Sequence, residues 1–253
     1  PAIKPQVAYY EQYGAAGYLA LQRTISYAQA KGQLVIVDAK RNDIGSTAEA
    51  YTRAILGQSE IGRDANGLPI TRRFLGGDCI TLNGYLGIDG IQPFLNEMKA
   101  NGQGCYILVR TSNPSAGDLQ DLQLADGRTV YEAMAGKVAE WGQDFVGTSG
   151  YSSVGAVVGA TWPKQAETLR QIMPQSLILV PGYGAQGGSA DDAVASFGAD
   201  GQGAIVNASR SLMLAWKKHQ MMPEAFAAAA RKEALAMRQD LQAALHRAGK
   251  DIV

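Results

Sequence analysis

Short aliphatic runs alternate with amphipathic stretches along nearly the whole chain, and that alternation limits the fold more than any single motif. Runs of strand character fall at residues 2–6, 34–40, 78–83, 105–111, 155–161, 177–181 and 204–208. Between them, residues 18–31, 48–56, 91–100, 130–142, 163–173 and 189–197 carry apolar side chains at helical spacing. Such alternation predicts parallel strands joined by right-handed crossovers. A length of 253 residues suits one α/β barrel, and a hydrophobic fraction of 46% can fill its core. The expected architecture is a (β/α)8 TIM barrel forming a single domain over residues 1–253. Seven runs are one short of eight, and the first begins at residue 2, so the barrel's first strand and helix are expected to be missing from this chain. Residues 223–248 predict a last helix on the outside of the barrel, with Pro223 at its first position and Gly249 as its stop.

Charge and composition remove several classes of function. Net charge is zero and the isoelectric point is about 7.2, without the basic excess of a nucleic-acid surface. No run approaches the length of apolar sequence that spans a bilayer. Cys79 and Cys105 each open an apolar run and read as reduced, buried thiols of a cytoplasmic protein. The two histidines, His219 and His246, both lie near the C-terminus, which leaves little material for a histidine metal site or a Ser-His-Asp triad. Residues 57–77 are polar and glycine-rich and look like an insertion. Their arginines, Arg63, Arg72 and Arg73, read as a solvated or subunit-contacting surface more readily than as an anion site.

Chemistry concentrates where the second run ends, in Leu34-Val35-Ile36-Val37-Asp38-Ala39-Lys40-Arg41-Asn42-Asp43. On a strand, alternate residues share a face, so Asp38 and Lys40 are expected side by side at the end of an apolar strand. Two readings fit: a surface ion pair where the strand leaves the core, or a catalytic array of alternating charge with Asp43 just beyond. Buried charges cost free energy unless they pair, which makes an idle array there unusual. Later runs end in equally suggestive loops. Pro181-Gly182-Tyr183-Gly184-Ala185-Gln186-Gly187-Gly188 can bring backbone N–H groups close to an anion, with a helix N-terminus behind them. Asn207-Ala208-Ser209-Arg210 follows the next run and offers an arginine to the same anion. Phosphate sites of α/β barrels frequently occupy these two places. Thr111-Ser112-Asn113-Pro114 can hydrogen-bond a polar ring or simply make a turn, and residues 118–128 are long enough to form a lid.

Together these stretches resemble orotidine 5′-phosphate decarboxylases of the second, longer bacterial subgroup. The decapeptide from Asp38 to Thr47 and the Gly184-to-Gly188 loop are the most specific parts. Ile3-Lys4-Pro5-Gln6, Thr111-Ser112-Asn113-Pro114, Val158-Gly159-Ala160-Thr161 and Asn207-Ala208-Ser209-Arg210 follow in the family's order. The resemblance implies decarboxylation of orotidine 5′-monophosphate to uridine 5′-monophosphate with no metal or organic cofactor. It implies that Lys40 protonates the ring carbon, with Asp38 and Lys4 beside it. It implies that Asp43 and Thr47 come from a partner subunit, in a homodimer with shared sites. Ser112 and Gln186 are then the pyrimidine contacts, and Gln186, Gly187, Gly188 and Arg210 the phosphate contacts. Two departures stand out. The family's first-strand aspartate is absent, and Asn42 occupies a position where glycine is expected, a change placed on a surface loop. A magnesium-dependent sugar-phosphate enzyme of the hexulose-phosphate synthase type shares the Asp-x-Lys strand end and is the alternative.

Overall fold

The computed structural model describes residues 2–184 and 187–251. The chain folds as two units, Pro1–Leu108 and Val109–Val253.

The first unit runs β1 (Ala2–Ile3), α1 (Ala8–Glu11), α2 (Gly14–Ala30), β2 (Leu34–Arg41), α3 (Gly45–Ile55), β3 (Ser59–Arg63), β4 (Pro69–Arg72), β5 (Cys79–Leu82), α4 (Ile88–Asn101) and β6 (Gly104–Arg110), whose last two residues open the second unit. Strand β2 has a parallel neighbour on each side. Ile3 pairs with Val35 of β2, and Val37 of β2 pairs with Ile80 of β5. Val35, Ile36 and Val37 are all buried. A parallel strand covered on both faces reads as a continuous apolar run, which is why 34–37 shows no polar alternation. Leu21 and Ile25 of α2 and Ile91 and Phe94 of α4 are fully buried. Helix α4 stops at Gly102, which takes the left-handed conformation with φ 67°, the usual glycine ending.

The second unit continues with α5 (Gly117–Gln120), α6 (Val130–Trp141), β7 (Ser152–Val158), α7 (Pro163–Ile172), β8 (Ser176–Val180), α8 (Ala190–Val194), β9 (Ala204–Val206), α9 (Arg210–Met213), α10 (Ala215–Lys218) and α11 (Phe226–Arg247). Strands β7, β8 and β9 are parallel neighbours in that order. A reciprocal capping box between Thr129 and Glu132 starts α6, an arrangement that stabilises a helix by about 1 kcal/mol. Helix α11 seats Ala244 and Leu245 on Ala190, Val194 and Phe197.

Strand and helix positions follow the sequence expectation to within a few residues, with three differences. Residues 57–77 are not featureless: β3 and β4 form an antiparallel hairpin around Asp64 and Gly67, its residues mostly solvent-exposed. The helix expected at 189–197 is α-helical only over Ala190–Val194. Pro223 begins a 3-10 turn over Pro223–Ala225, and the α-helix starts after it. Both cysteines are free thiols, and burial is the first cause that pushes Cys79 up to about 12 and Cys105 higher still.

Candidate active site

The array expected at the end of β2 is present. Asp38 is 5% exposed. One carboxylate oxygen accepts from Lys4 Nζ, and the other accepts from Lys40 Nζ at 2.5 Å and from the Thr81 hydroxyl at 2.9 Å. Lys4 is brought in because the segment after β1 keeps running beside β2: Asp38 N–H donates to Pro5 O, and Val7 N–H donates to Asp38 O. Burial pushes the Asp38 carboxyl up, but the charges of Lys4 and Lys40 outweigh it and hold the group below its ordinary value. The result is a fixed anion between two cations, with 44% of the Lys40 side chain open to solvent.

Simple strand alternation does not explain how Lys40 reaches Asp38. The pairing of β2 with β5 shifts register between Val37 and Arg41. Lys40 adopts φ 49°, and among the described residues only Gln220 is another non-glycine residue with positive φ. That conformation costs an L-residue about 1–2 kcal/mol. It is held by a hydrogen bond from Lys40 N–H to Thr81 Oγ1 at 3.0 Å. The fully buried Thr81 thus orients both the backbone of Lys40 and the carboxylate of Asp38. Sequence reading missed it, although a lone threonine inside the apolar β5 run was the available signal.

Beyond the array, Asp43 is half-buried and Thr47 exposed. Asp43 Oδ1 accepts from the N–H of Ile44 at 2.8 Å, just ahead of α3. The expectation of a surface position for Asn42 needs correction: the residue is half-buried, and its Oδ1 is enclosed with no hydrogen-bond partner among the described residues. A Cβ on Gly90 would lie 3.2 Å from that oxygen, so Asn42 packs against α4.

In the second unit, the loop after β6 is tightly held. Trp162 Nε1–H donates to Thr111 O at 2.9 Å, and Thr161 Oγ1 reaches Ser112 O at 3.5 Å. Any side chain at Gly159 would collide with the backbone of Ser112, at 2.9 Å. The glycine of Val158-Gly159-Ala160-Thr161 is therefore a packing requirement of the Ser112 loop.

The glycine loop and Arg210 come together. Tyr183, Gly184 and Arg210 line one pocket of about 450 Å³ with Lys218 and Glu233. The Tyr183 hydroxyl donates to Asp240 of α11 at 2.7 Å, tying the loop to that helix. Two local features bear on the expected anion-binding parts. Gly187 N–H donates to Gly184 O at 2.9 Å and Gly188 N–H to Gly182 O at 3.1 Å, so both amides are engaged within the loop. Helix α8 is five residues long and begins with its own Ser189–Asp192 capping box, which engages the amides of Ser189 and Asp192. Gln186 lies outside the described residues.

The described members of both groups of residues expected to do chemistry lie at or just beyond the C-terminal ends of parallel strands, one group in each unit. Comparison with known proteins decides the family. The model of the orotidine 5′-phosphate decarboxylase / HUMPS family matches residues 2–222. The chain belongs to this family. A Rhodopirellula baltica orotidine 5′-phosphate decarboxylase is 47% identical over 87% of this chain and 70% of its own length. Among solved structures, a Leishmania donovani OMP decarboxylase superposes with a TM-score of 0.72 at 32% identity, over 95% of this chain and 81% of that one. A putative orotidine 5′-phosphate decarboxylase from Streptomyces avermitilis gives 0.73 at 33% identity, over 94% and 76%. Membership of the orotidine 5′-phosphate decarboxylase / HUMPS family carries the α/β barrel fold class expected from the alternating pattern. The relatives' names favour the decarboxylase over the sugar-phosphate alternative. Among the described residues, no helix is long and apolar enough to cross a membrane.

Proposed function

We infer that this chain decarboxylates orotidine 5′-monophosphate to uridine 5′-monophosphate and CO2, the last step in making that nucleotide. The observation that carries the reading is the buried Asp38 carboxylate held between Lys4 and Lys40 on the family's own motif. In the reaction the bond from C6 of the pyrimidine to its carboxylate breaks. CO2 leaves, and the electron pair stays on C6 in the ring plane, where delocalisation is poor. The Lys40 ammonium beside C6 stabilises that charge and then gives C6 its proton. A preorganised cation in a partly dehydrated site is the kind of group that contributes most to such a barrier. Asp38 keeps Lys40 charged and oriented and faces the substrate carboxylate, and Lys4 completes the pair and reaches the ribose.

Ser112 and Gln186 are assigned to the pyrimidine, and Gln186, Gly187, Gly188 and Arg210 to the phosphate. For the amides of Gly187 and Gly188, that role requires the bonds they now make within the loop to be exchanged for bonds to phosphate. Binding energy from the remote phosphate then contributes to assembling the site. Asp43 and Thr47 are assigned to the partner's site in a homodimer. The reading also takes residues 1–253 as one barrel domain working in the cytoplasm without metal or organic cofactor, on a small-molecule substrate and apart from nucleic acid and membranes. The direct test is the loss of orotidine absorbance with purified protein, before and after EDTA. Turnover that persists after chelation supports the decarboxylase. Absence of turnover, or activity that disappears with the metal, overturns it.

Two further outcomes are expected. Arg210→Ala should lower kcat/KM by more than tenfold, about 1.4 kcal/mol, mainly through weaker substrate binding. Unchanged kinetics would remove Arg210 from the site. Mixing Asp43→Asn protein with Lys40→Ala protein should restore activity, because one of the two sites in a hybrid dimer would have both residues intact. Verified subunit exchange with no recovery would place Asp43 in the same subunit as Lys40.

A further inference from the structure

We propose that Arg110 is a positioning residue for pyrimidine recognition, acting by fixing the loop that presents Ser112. The inference rests on the functional reading above. Arg110 ends β6, and its side chain is 0% exposed. Its guanidinium lies over the Trp162 ring, 4.3 Å from the centroid, with Tyr131 at 5.4 Å. One terminal nitrogen donates to Gln120 Oε1 at 3.3 Å and the other to Asp121 Oδ2 at 3.2 Å. The fork therefore grips the end of α5, a short helix ten residues further along the chain.

Two residues that Arg110 touches bond to each polar group of Thr111, whose hydroxyl in turn donates to Asn113 Oδ1 at 2.6 Å. Gln120 Oε1 accepts Thr111 N–H at 3.0 Å, and Gln120 Nε2–H donates to Thr111 Oγ1 at 2.8 Å. Trp162 Nε1–H takes Thr111 O. With its nitrogen, carbonyl and hydroxyl all engaged, Thr111 is held at three points, and that sets the direction in which the chain enters Ser112. The far end of the loop is fitted as closely: a Cβ on Gly117 would stand 2.7 Å from Asp121 Oδ2, so the carboxylate approaches only because residue 117 is glycine. A pair between a fully buried arginine and a half-exposed aspartate is a poor device for stability, since an apolar side chain of equal volume in the arginine's place often stabilises as well or better. What an arginine adds here is geometry: a planar fork that binds two partners while its face stacks on an indole. Lysine can supply the charge but not the planar fork that holds two partners at fixed angles while lying flat on an indole.

The test compares uridine 5′-monophosphate, which has the base, with ribose 5-phosphate, which lacks it. Calorimetric affinities for both are measured on wild type, Arg110→Lys, Arg110→Met and Asp121→Asn, alongside kcat, KM and a thermal melt. Each arginine variant should weaken nucleotide binding by about tenfold or more while ribose 5-phosphate binding stays within about threefold. Asp121→Asn, which alters a half-exposed partner and leaves the arginine in place, should shift the same ratio in the same direction by less. Equal losses for both ligands, or an unchanged ratio in the variants, would overturn the inference. If the arginine variants do not fold, the ratio in Asp121→Asn decides alone. A wild-type chain that binds the nucleotide no better than ribose 5-phosphate would overturn the functional reading, and the inference with it.

Discussion

Lys40→Ala should abolish nearly all turnover while uridine 5′-monophosphate still binds. The expected loss in kcat is about a thousandfold or more, the upper range for removing one preorganised electrostatic group. Binding should survive because Arg210 and the Ser112 loop follow other strands, β9 and β6, than the one that carries the lysine. The alanine also removes one of the two cations on a buried carboxylate, so a melt must accompany the assay. Stability should fall only modestly, since Lys4 and Thr81 still hold Asp38. A variant that decarboxylates within tenfold of wild type would sink the assignment of Lys40 as proton donor.

Asp38→Asn should damage both activity and stability. The substitution keeps the shape and leaves Lys4 and Lys40 facing each other without an anion between them. Breaking a buried pair by removing one partner costs about 3–5 kcal/mol, and the less enclosed Lys40 puts this case at the lower end. The pH dependence has a definite sign. Lys4 and Lys40 overcome burial to hold the folded-state carboxyl below its ordinary value. The stability it contributes is therefore fully present above the unfolded-state value of about 3.9. It is lost as pH falls through the lower, folded value. Wild type should lose stability in that acidic window, and the Asn variant should show a correspondingly shallower loss. Identical acid-melt profiles for the two proteins would show that Asp38 is not held charged by its neighbours.

Much of this was legible in the residues because strong signals have simple physical causes. Parallel strands covered on both faces appear as unbroken aliphatic runs, so β2, β5, β6 and β8 stood out. The Asp38–Lys40 pair was visible because charges at the end of such a run must find partners. The route by which they meet was not visible: a left-handed backbone at a lysine depends on a hydroxyl from the neighbouring strand, and no local pattern encodes it. The hairpin of β3 and β4 was missed because its strands are short and exposed, without a buried face to impose alternation. The amides of Gly187 and Gly188 were expected to face an anion because glycine permits close approach. Permission is not occupancy: the amides of such a loop can be satisfied by its own carbonyls as well as by an anion. Arg110 does not stand out within the run at 105–111, since its partners lie 10, 11 and 52 positions away.

The two thiols have a practical consequence. Thiol reagents attack the thiolate, and burial keeps Cys79 and Cys105 protonated at neutral pH. With only these two cysteines in the sequence, one buried and one half-buried, the native thiols should react slowly with maleimides and iodoacetamides. A single cysteine placed on the exposed hairpin, for example at Thr71, would then carry a fluorophore or spin label as the dominant reactive position, with the native thiols left unaltered.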